Sequence, residues 1–145
     1  MGLSVLQSFP ATDVAVSPRP IVRPIGKNIE LEAAPIPSSW ILAGDPQARA
    51  IELTPGGRGH CSSGLWSCSA GEFTWSYSAD EIVHILAGEV RLRFHDHAQV
   101  AKVGDIVAFR AGTTVHWTVA EYVEKFWVLG PAPTFLSRVR RKLLG

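Results

Sequence analysis

Two residues of opposite charge, Glu81 and Lys125, stand in segments that otherwise read as apolar β-strands. Side chains alternate between the two faces of a strand, so Glu81 shares a face with Val83 and Ile85. By the same alternation Lys125 shares a face with Trp127. If these faces point inward, both charges are buried, and a buried charge without a partner costs several kcal/mol. The two residues then form either a structural salt bridge or the polar end of a ligand site.

Aromatic residues accompany these two charges. The side chains that strand parity groups with them on the expected inner face are Tyr77, Trp66, Trp75, Trp117 and Trp127. Five tryptophans are many for 145 residues, and they either fill the core or form a cage around a small polar ligand. The candidate ligand-binding residues are Trp66, Trp75, Trp117 and Trp127, with Glu81 and Lys125 orienting the ligand.

The same residues have the chemistry for acid–base catalysis. Glu81 can act as a general base and Tyr77 or Lys125 as the acid, in an isomerase or hydrolase acting on a small polar metabolite. Glu81, Lys125 and Tyr77 are therefore the candidate catalytic residues. The sequence has no nucleophile elbow and no phosphate-binding loop, which disfavours covalent hydrolase and kinase chemistry.

The histidines give a weaker signal. Strand alternation puts His84 on the face opposite Glu81, and His116 likewise faces away from the expected interior. His95 and His97 have ligand chemistry but stand at an expected hairpin tip, which favours a solvated turn over a metal site. A metal centre needs three or four donor atoms that converge on one point. Parity for His84 and His116, and the hairpin tip for His95 and His97, therefore disfavour a metal site built on these histidines.

Short apolar runs separated by glycine-containing turns indicate the elements that position these residues. Such runs recur at roughly 8–12-residue spacing, which is typical of an all-β sandwich or barrel. The predicted strands are 51–54, 64–69, 73–78, 81–87, 90–95, 100–103, 106–109, 114–120 and 123–129. Turns are expected around Gly71 and at Gly88, where the chain would reverse between strands.

The two ends of the chain differ from this central region, which we assign to residues 40–131. Residues 1–39 are rich in proline and lack periodicity, so we expect an extended arm. Residues 132–145 predict a short basic helix in which Phe135 and Leu143 lie on one apolar face. Edge strands of an antiparallel sheet need cover, and the arm and the helix could supply it to a second copy. We therefore expect a homodimer.

Composition excludes several classes of partner. The formal net charge of +1 provides no general attraction to nucleic acid or to an acidic membrane surface. No run approaches the ~20 apolar residues of a membrane span, and no signal peptide is evident. Cys61 and Cys68 are too few for a disulfide framework, so both are expected to be reduced. A cytoplasmic protein with a small-molecule ligand is the expectation.

Two glycine-containing segments resemble the two conserved motifs of the cupins. Glu81 is followed after six residues by Gly88, as at the end of the first motif, and Gly104-Asp105 begins a segment that resembles the second. The surrounding pattern is similar to small single-domain cupins of the ethanolamine-utilisation and ureidoglycine aminohydrolase-like branch. Its elements here are Trp66, Gly71, Tyr77, Asp80-Glu81, Gly88, Gly104-Asp105, Gly112, Trp117, Glu121 and Lys125 with Phe126-Trp127. The resemblance covers about residues 60–130 and implies a jelly-roll barrel, the double-stranded β-helix.

The resemblance also bears on metal binding. Most catalytic cupins hold a metal through two histidines before the glutamate of the first motif and one histidine in the second. The corresponding positions fall here on Trp75, Tyr77 and Val115. We therefore expect no transition metal and no other cofactor. The alternative is an atypical metal-dependent cupin that combines Glu81 with ligands outside these positions.

Overall fold

Antiparallel pairing joins all the strands of the described residues into a single sheet. The computed structural model describes residues 20, 22, 24–25, 29–57 and 59–131. The strands are β1 (Glu32–Ala33), β2 (Ile41–Gly44), β3 (Ala48–Thr54), β4 (Ser62–Ser76), β5 (Glu81–Phe94), β6 (His97–Lys102), β7 (Ile106–Phe109) and β8 (Thr114–Leu129). Their order is β1-β3-β4-β8-β5-β6, with β2 also paired to β4 and β7 to β5. The predicted all-β class is confirmed.

Three long strands replace pairs of shorter ones that the sequence predicts. The expected breaks at Gly71, at Gly88 and between residues 120 and 123 fall inside β4, β5 and β8. The register instead shifts at these places, as between Ser69 and Gly71 on β4. A β-bulge bends a strand without ending it, so a glycine in an apolar run is as compatible with a bulge as with a turn.

Gly88 shows why glycine is needed at one such bend. Its φ of +68° lies in the left-handed region, which residues with a side chain rarely adopt. A Cβ atom at this position would also overlap the carbonyl oxygen of Tyr122 on β8. The close approach of β5 and β8 therefore depends on the missing side chain.

Strand alternation separates an apolar interior from an outer face. On β5 the side chains of Glu81, Val83 and Ile85 are buried, whereas Ile82 and His84 are exposed. Odd-numbered residues of β8 likewise form its inner face, namely Val115, Trp117, Val119, Val123, Lys125 and Trp127. The inner faces of β5 and β8 are thus the ones that strand alternation in the sequence predicts.

Part of the proline-rich region lies within the described residues. β1 pairs with β3 through Glu32 and Ala33, and a short 3-10 turn at Ser38–Trp40 leads into β2. Ile36, between them, is packed in the core. The C-terminal helix expected at 132–145 lies outside the described residues, as does most of the N-terminal arm. Within the described part of the chain, no helix is long and apolar enough to cross a membrane.

Candidate functional site

The two charges predicted to face inward form a buried ion pair. The Lys125 ammonium donates a hydrogen bond to Oε1 of Glu81 at 2.9 Å, and the two side chains are 3% and 1% exposed. The residues are not directly opposite, because Lys125 pairs with Ile85 and Glu81 pairs with Leu129. Both side chains therefore lean along their strands to meet in the interior.

Indole rings flank the ammonium group on its other sides. Lys125 Nζ lies 5.1 Å from the ring centre of Trp66 and 5.0 Å from that of Trp117. At these distances the negative face of an indole attracts a cation, an effect that grows when water is excluded. Trp66 is the register partner of Lys125 across β4 and β8, which explains how its ring reaches the ammonium group. Carboxylate and rings together replace the water that the lysine loses on burial.

A network of aromatic rings continues from these two tryptophans, and we call it the aromatic cluster. Its members are Trp40, Trp66, Phe73, Trp75, Tyr77, Phe109 and Trp117, with ring centres between 4.4 and 6.3 Å apart. Phe73 stacks on Trp117 at 5.8 Å, and Phe109 stacks on Tyr77 at 4.4 Å. Trp75 contacts Trp66 edge to face at 6.1 Å. The cluster thus brings together four of the five aromatic residues that the sequence assigns to the site.

Trp127 is the exception. It is buried and shares the inner face of β8 with Lys125, but no ring contact joins it to the aromatic cluster within the described residues. Its indole instead lies over Gly64, its register partner on β4, where any side chain would overlap the ring. Trp127 therefore lines the interior beside the cluster rather than within it.

Three members of the cluster were not among the residues predicted from the sequence. Phe73 shares strand parity with Trp75 and Tyr77, so the alternation already contained this signal. Phe109 pairs with Glu81 across β5 and β7, and only the register reveals that pairing. Trp40 lies in the 3-10 turn, where no strand periodicity indicates its direction, and it contacts Trp75 edge to face at 5.3 Å. It is the only member of the cluster that is not fully buried.

Four polar atoms of the interior are buried without a hydrogen-bond partner. They are the indole nitrogens of Trp75, Trp117 and Trp127 and the hydroxyl of Tyr77. Leaving one buried polar group unsatisfied costs about 1–3 kcal/mol, and such groups are uncommon in native proteins. Each indole nitrogen is a donor only. Among these four unpartnered groups, donors therefore outnumber acceptors.

The Tyr77 hydroxyl is held in its protonated form. Burial raises the pKa of Tyr77 well above its usual value, and the negative charge of Glu81 raises it further. The nearby Trp117 indole lowers the pKa of Tyr77 by a smaller amount. The geometry between the indole nitrogen and the Tyr77 hydroxyl is not that of a hydrogen bond. Backbone hydrogen bonds to Gly112 and Thr113, at 2.6 and 2.9 Å, hold the residue in place. Tyr77 is thus a neutral donor close to the ion pair.

Neither cysteine offers a reactive thiolate in the interior. Both cysteines are free, with Cys61 exposed and Cys68 buried. Burial raises the pKa of Cys68 to about 12, so its thiol stays protonated at neutral pH. A protonated thiol is a poor nucleophile and a poor metal ligand.

The histidines lie away from the interior, as strand parity predicts. His84 is exposed on β5, and His97 at the β5–β6 hairpin is 81% exposed. His116 contacts Arg93 through Nδ1 at 2.8 Å and Glu72 through Nε2 at 3.1 Å, so both of its ring nitrogens are engaged. No group of three or more His, Cys, Asp or Glu side chains in the described ranges is arranged to hold a metal ion.

The positions that carry histidine in metal-binding cupins do lie in the interior. Trp75, Tyr77 and Val115 are all buried and sit on the inner faces of β4 and β8 or directly after β4. Glu81 is the only metal-ligating side chain at the four motif positions, and it is bonded to Lys125. One carboxylate does not make a metal centre, so the residues present do not fit a mononuclear metal.

Comparison with known proteins identifies the family. The model of the EutQ-like cupin domain matches residues 55–127, just over half of the chain. No curated protein matches the sequence.

Solved structures with low sequence identity share the fold. A Salmonella typhimurium LT2 protein assigned as ethanolamine utilization protein Q aligns with a TM-score of 0.51 and 22% identity, covering 61% of this chain and 72% of its own. The EutQ protein of Clostridium difficile gives 0.54 and 19%, covering 60% and 64%. A protein of unknown function from Pseudomonas syringae pv. tomato gives 0.64 and 23%, covering 70% and 45%. These structures confirm the predicted jelly-roll barrel, and with the family match they show that the chain belongs to the EutQ-like cupin domain family.

Proposed function

We propose that this cupin binds a small polar metabolite inside its barrel, beside the Glu81–Lys125 pair, without a transition metal. The observation that carries the proposal is the coincidence of a buried ion pair with four unpartnered polar atoms in one aromatic interior. Glu81 and Lys125 orient the ligand in this proposal, and the indoles of Trp66, Trp75, Trp117 and Trp127 enclose it.

A purely structural role accounts less well for this interior. Replacing a buried ion pair by apolar residues of similar volume is often neutral or stabilising, so stability alone gives little reason to keep Glu81 and Lys125. The unpartnered donors destabilise the folded state further, because burial removes their hydrogen bonds to water and nothing replaces them. Retaining such groups is reasonable when a ligand completes their hydrogen bonds.

Ligand entry requires movement of side chains. The four unpartnered atoms are not exposed to solvent, and the rings around the pair are almost completely buried. Trp40 is the partly exposed member of the aromatic cluster, and among the residues that the structure describes its aromatic contact is with Trp75. We propose that displacement of Trp40 opens the interior.

A second candidate function is acid–base catalysis at the same site. It is favoured by the closeness of Glu81 to Tyr77, whose pKa the carboxylate helps to raise. Glu81 would act as the base and Tyr77, or alternatively Lys125, as the proton donor. Conversion of a stabilising compound into a product would establish the enzyme, whereas binding without conversion favours a sensor or an accessory protein.

We expect ligand binding to depend on Glu81 and Lys125. Amino-sugar, ureido and keto-acid compounds are screened for a rise in melting temperature of the full chain. At least one compound should stabilise the wild type, and Glu81→Gln and Lys125→Met should each abolish most of that shift. Arg110→Met, at the exposed ion pair with Asp80, serves as control and should keep it. A screen in which no compound stabilises the wild type would contradict the proposal.

The ion pair should also appear as energetic coupling in unfolding experiments. Glu81→Gln strands the lysine charge and Lys125→Met strands the carboxylate, so each should lower the free energy of unfolding by about 3–5 kcal/mol. The double variant should lose less than the sum, because it leaves no uncompensated buried charge. Urea denaturation of the four proteins measures the coupling.

The exposed pair of Arg110 and Asp80 provides a matched control cycle. Their side chains meet at 3.1 Å but are 75% and 47% exposed. Solvent screening limits such a pair to about 0–1 kcal/mol, so Arg110→Met and Asp80→Asn should couple weakly. Additive effects of Glu81→Gln and Lys125→Met would mean that the two residues do not interact.

We expect the protein purified without chelator to contain far less than one transition metal per chain. The reason is the replacement of the three histidine positions by Trp75, Tyr77 and Val115. Elemental analysis by mass spectrometry provides the measurement. A metal content near one per chain would refute this expectation. Variants at His84, His116 and the His95–His97 hairpin would then locate the ligands.

We further propose a homodimer formed through the outer face of the sheet. His84 lies between Phe126 and Ile106 in register, and Ile82 lies beside them on the same face. Ile82 is 51% and Ile106 71% exposed, which leaves an apolar surface in water.

Light scattering of the wild type should give the mass of a dimer, and light scattering of Ile106→Lys should give the mass of a monomer. Leu42→Lys is the control, because it changes an exposed leucine on a different strand, β2, and it should remain dimeric. A monomeric wild type would exclude the dimer.

A further inference from the structure

The balance of charge and hydrogen-bonding groups in the interior restricts the ligand. The ammonium of Lys125 is engaged by Glu81 at 2.9 Å and by two indole faces at 5.0 and 5.1 Å. The pair carries no net charge. A ligand that brought a charge of either sign into this space would therefore lack a counter-ion, and an uncompensated buried ion is costly.

The unpartnered groups specify the other property of the ligand. Three of them are indole N–H groups, which donate and cannot accept. The fourth is the Tyr77 hydroxyl, which remains protonated and so retains a hydrogen to donate. A ligand satisfies these groups by supplying lone pairs. A ligand that supplied only donors would leave the three indole N–H groups unsatisfied.

We infer that the ligand presents an uncharged carbonyl group, of the ketone or amide type, to the Tyr77 hydroxyl and the Trp117 indole N–H. This inference rests on the proposed function and names the chemical class that the same site selects. A carbonyl oxygen has two lone pairs and accepts two donors. The two donors are close together, because the Trp117 indole acts directly on the Tyr77 hydroxyl and lowers its pKa slightly. Both rings also stack on Phe109, at 4.4 Å for Tyr77 and 5.7 Å for Trp117 between ring centres. Glu81 and Lys125, already paired, supply a fixed polar wall beside it.

The indole N–H signals provide a direct test. The chain has five tryptophans, so the uniformly 15N-labelled protein gives five indole signals in a proton–nitrogen correlation spectrum, and Trp117→Phe identifies that of Trp117. Four probes of nearly equal size are titrated: acetone, acetamide, acetate and isopropylammonium. Acetone and acetamide should move the Trp117 signal downfield with saturation. Acetate and isopropylammonium should produce no saturable shift at the same concentrations.

Tyrosine variants test the second donor. Tyr77→Phe removes one hydrogen bond to the carbonyl and should weaken acetone and acetamide binding by about three- to tenfold. Tyr122→Phe is the matched control, because the hydroxyl of Tyr122 bonds to Glu124 at 2.8 Å on the exposed side of the sheet. The control should bind both probes as the wild type does.

The outcomes separate this inference from the proposed function. Tighter binding of acetate or isopropylammonium than of acetone would overturn the inference and leave an interior that still binds small molecules. Carbonyl binding that leaves the Trp117 signal unmoved and is insensitive to Tyr77→Phe would overturn the assignment of the two donors. If no probe shifts any indole signal and the ligand screen also fails, the proposed function itself is wrong.

Discussion

The interior of this barrel is organised around one ion pair that has no access to water. Glu81 and Lys125 are each close to fully buried, and each leaves the other uncompensated if it is removed. A lysine in such a place needs substitutes for its hydration shell. Here one carboxylate oxygen and two indole faces take that role. The buried ammonium group of Lys125 therefore constrains the positions of Trp66 and Trp117, because their ring faces must lie against it.

The strand arrangement makes this meeting possible. β8 lies between β4 and β5, so residues on its inner face reach both neighbours. Lys125 pairs with Trp66 on one side and with Ile85 on the other, four positions along the strand from Glu81. Both side chains extend along their strands to span that offset, and the ammonium and the carboxylate meet at 2.9 Å. A register shifted by one residue would turn Lys125 toward solvent and bury Glu124 instead.

Strand parity predicted which side chains face inward more accurately than the turn signals predicted where strands end. Alternation correctly assigned Glu81 and Lys125 to the inside and His84 to the outside, because a period of two is a local property of any strand. The turn signals misled at Gly71 and Gly88, since glycine serves bulges and turns alike. Phe109 and Trp40 could not be found, because their approach to the site depends on strand register and on a turn without periodicity.

The residue types at the motif positions change what the interior can recognise. A neutral imidazole offers a lone pair, so histidines at positions 75, 77 and 115 would present electron pairs to a metal ion. An indole offers only its N–H, and the Tyr77 hydroxyl retains its proton because burial and Glu81 both raise its pKa. Tryptophan and tyrosine at two of these positions therefore present protons where histidine would present lone pairs. With the one carboxylate already paired to Lys125, the ligand proposed for these barrel positions is one rich in lone pairs.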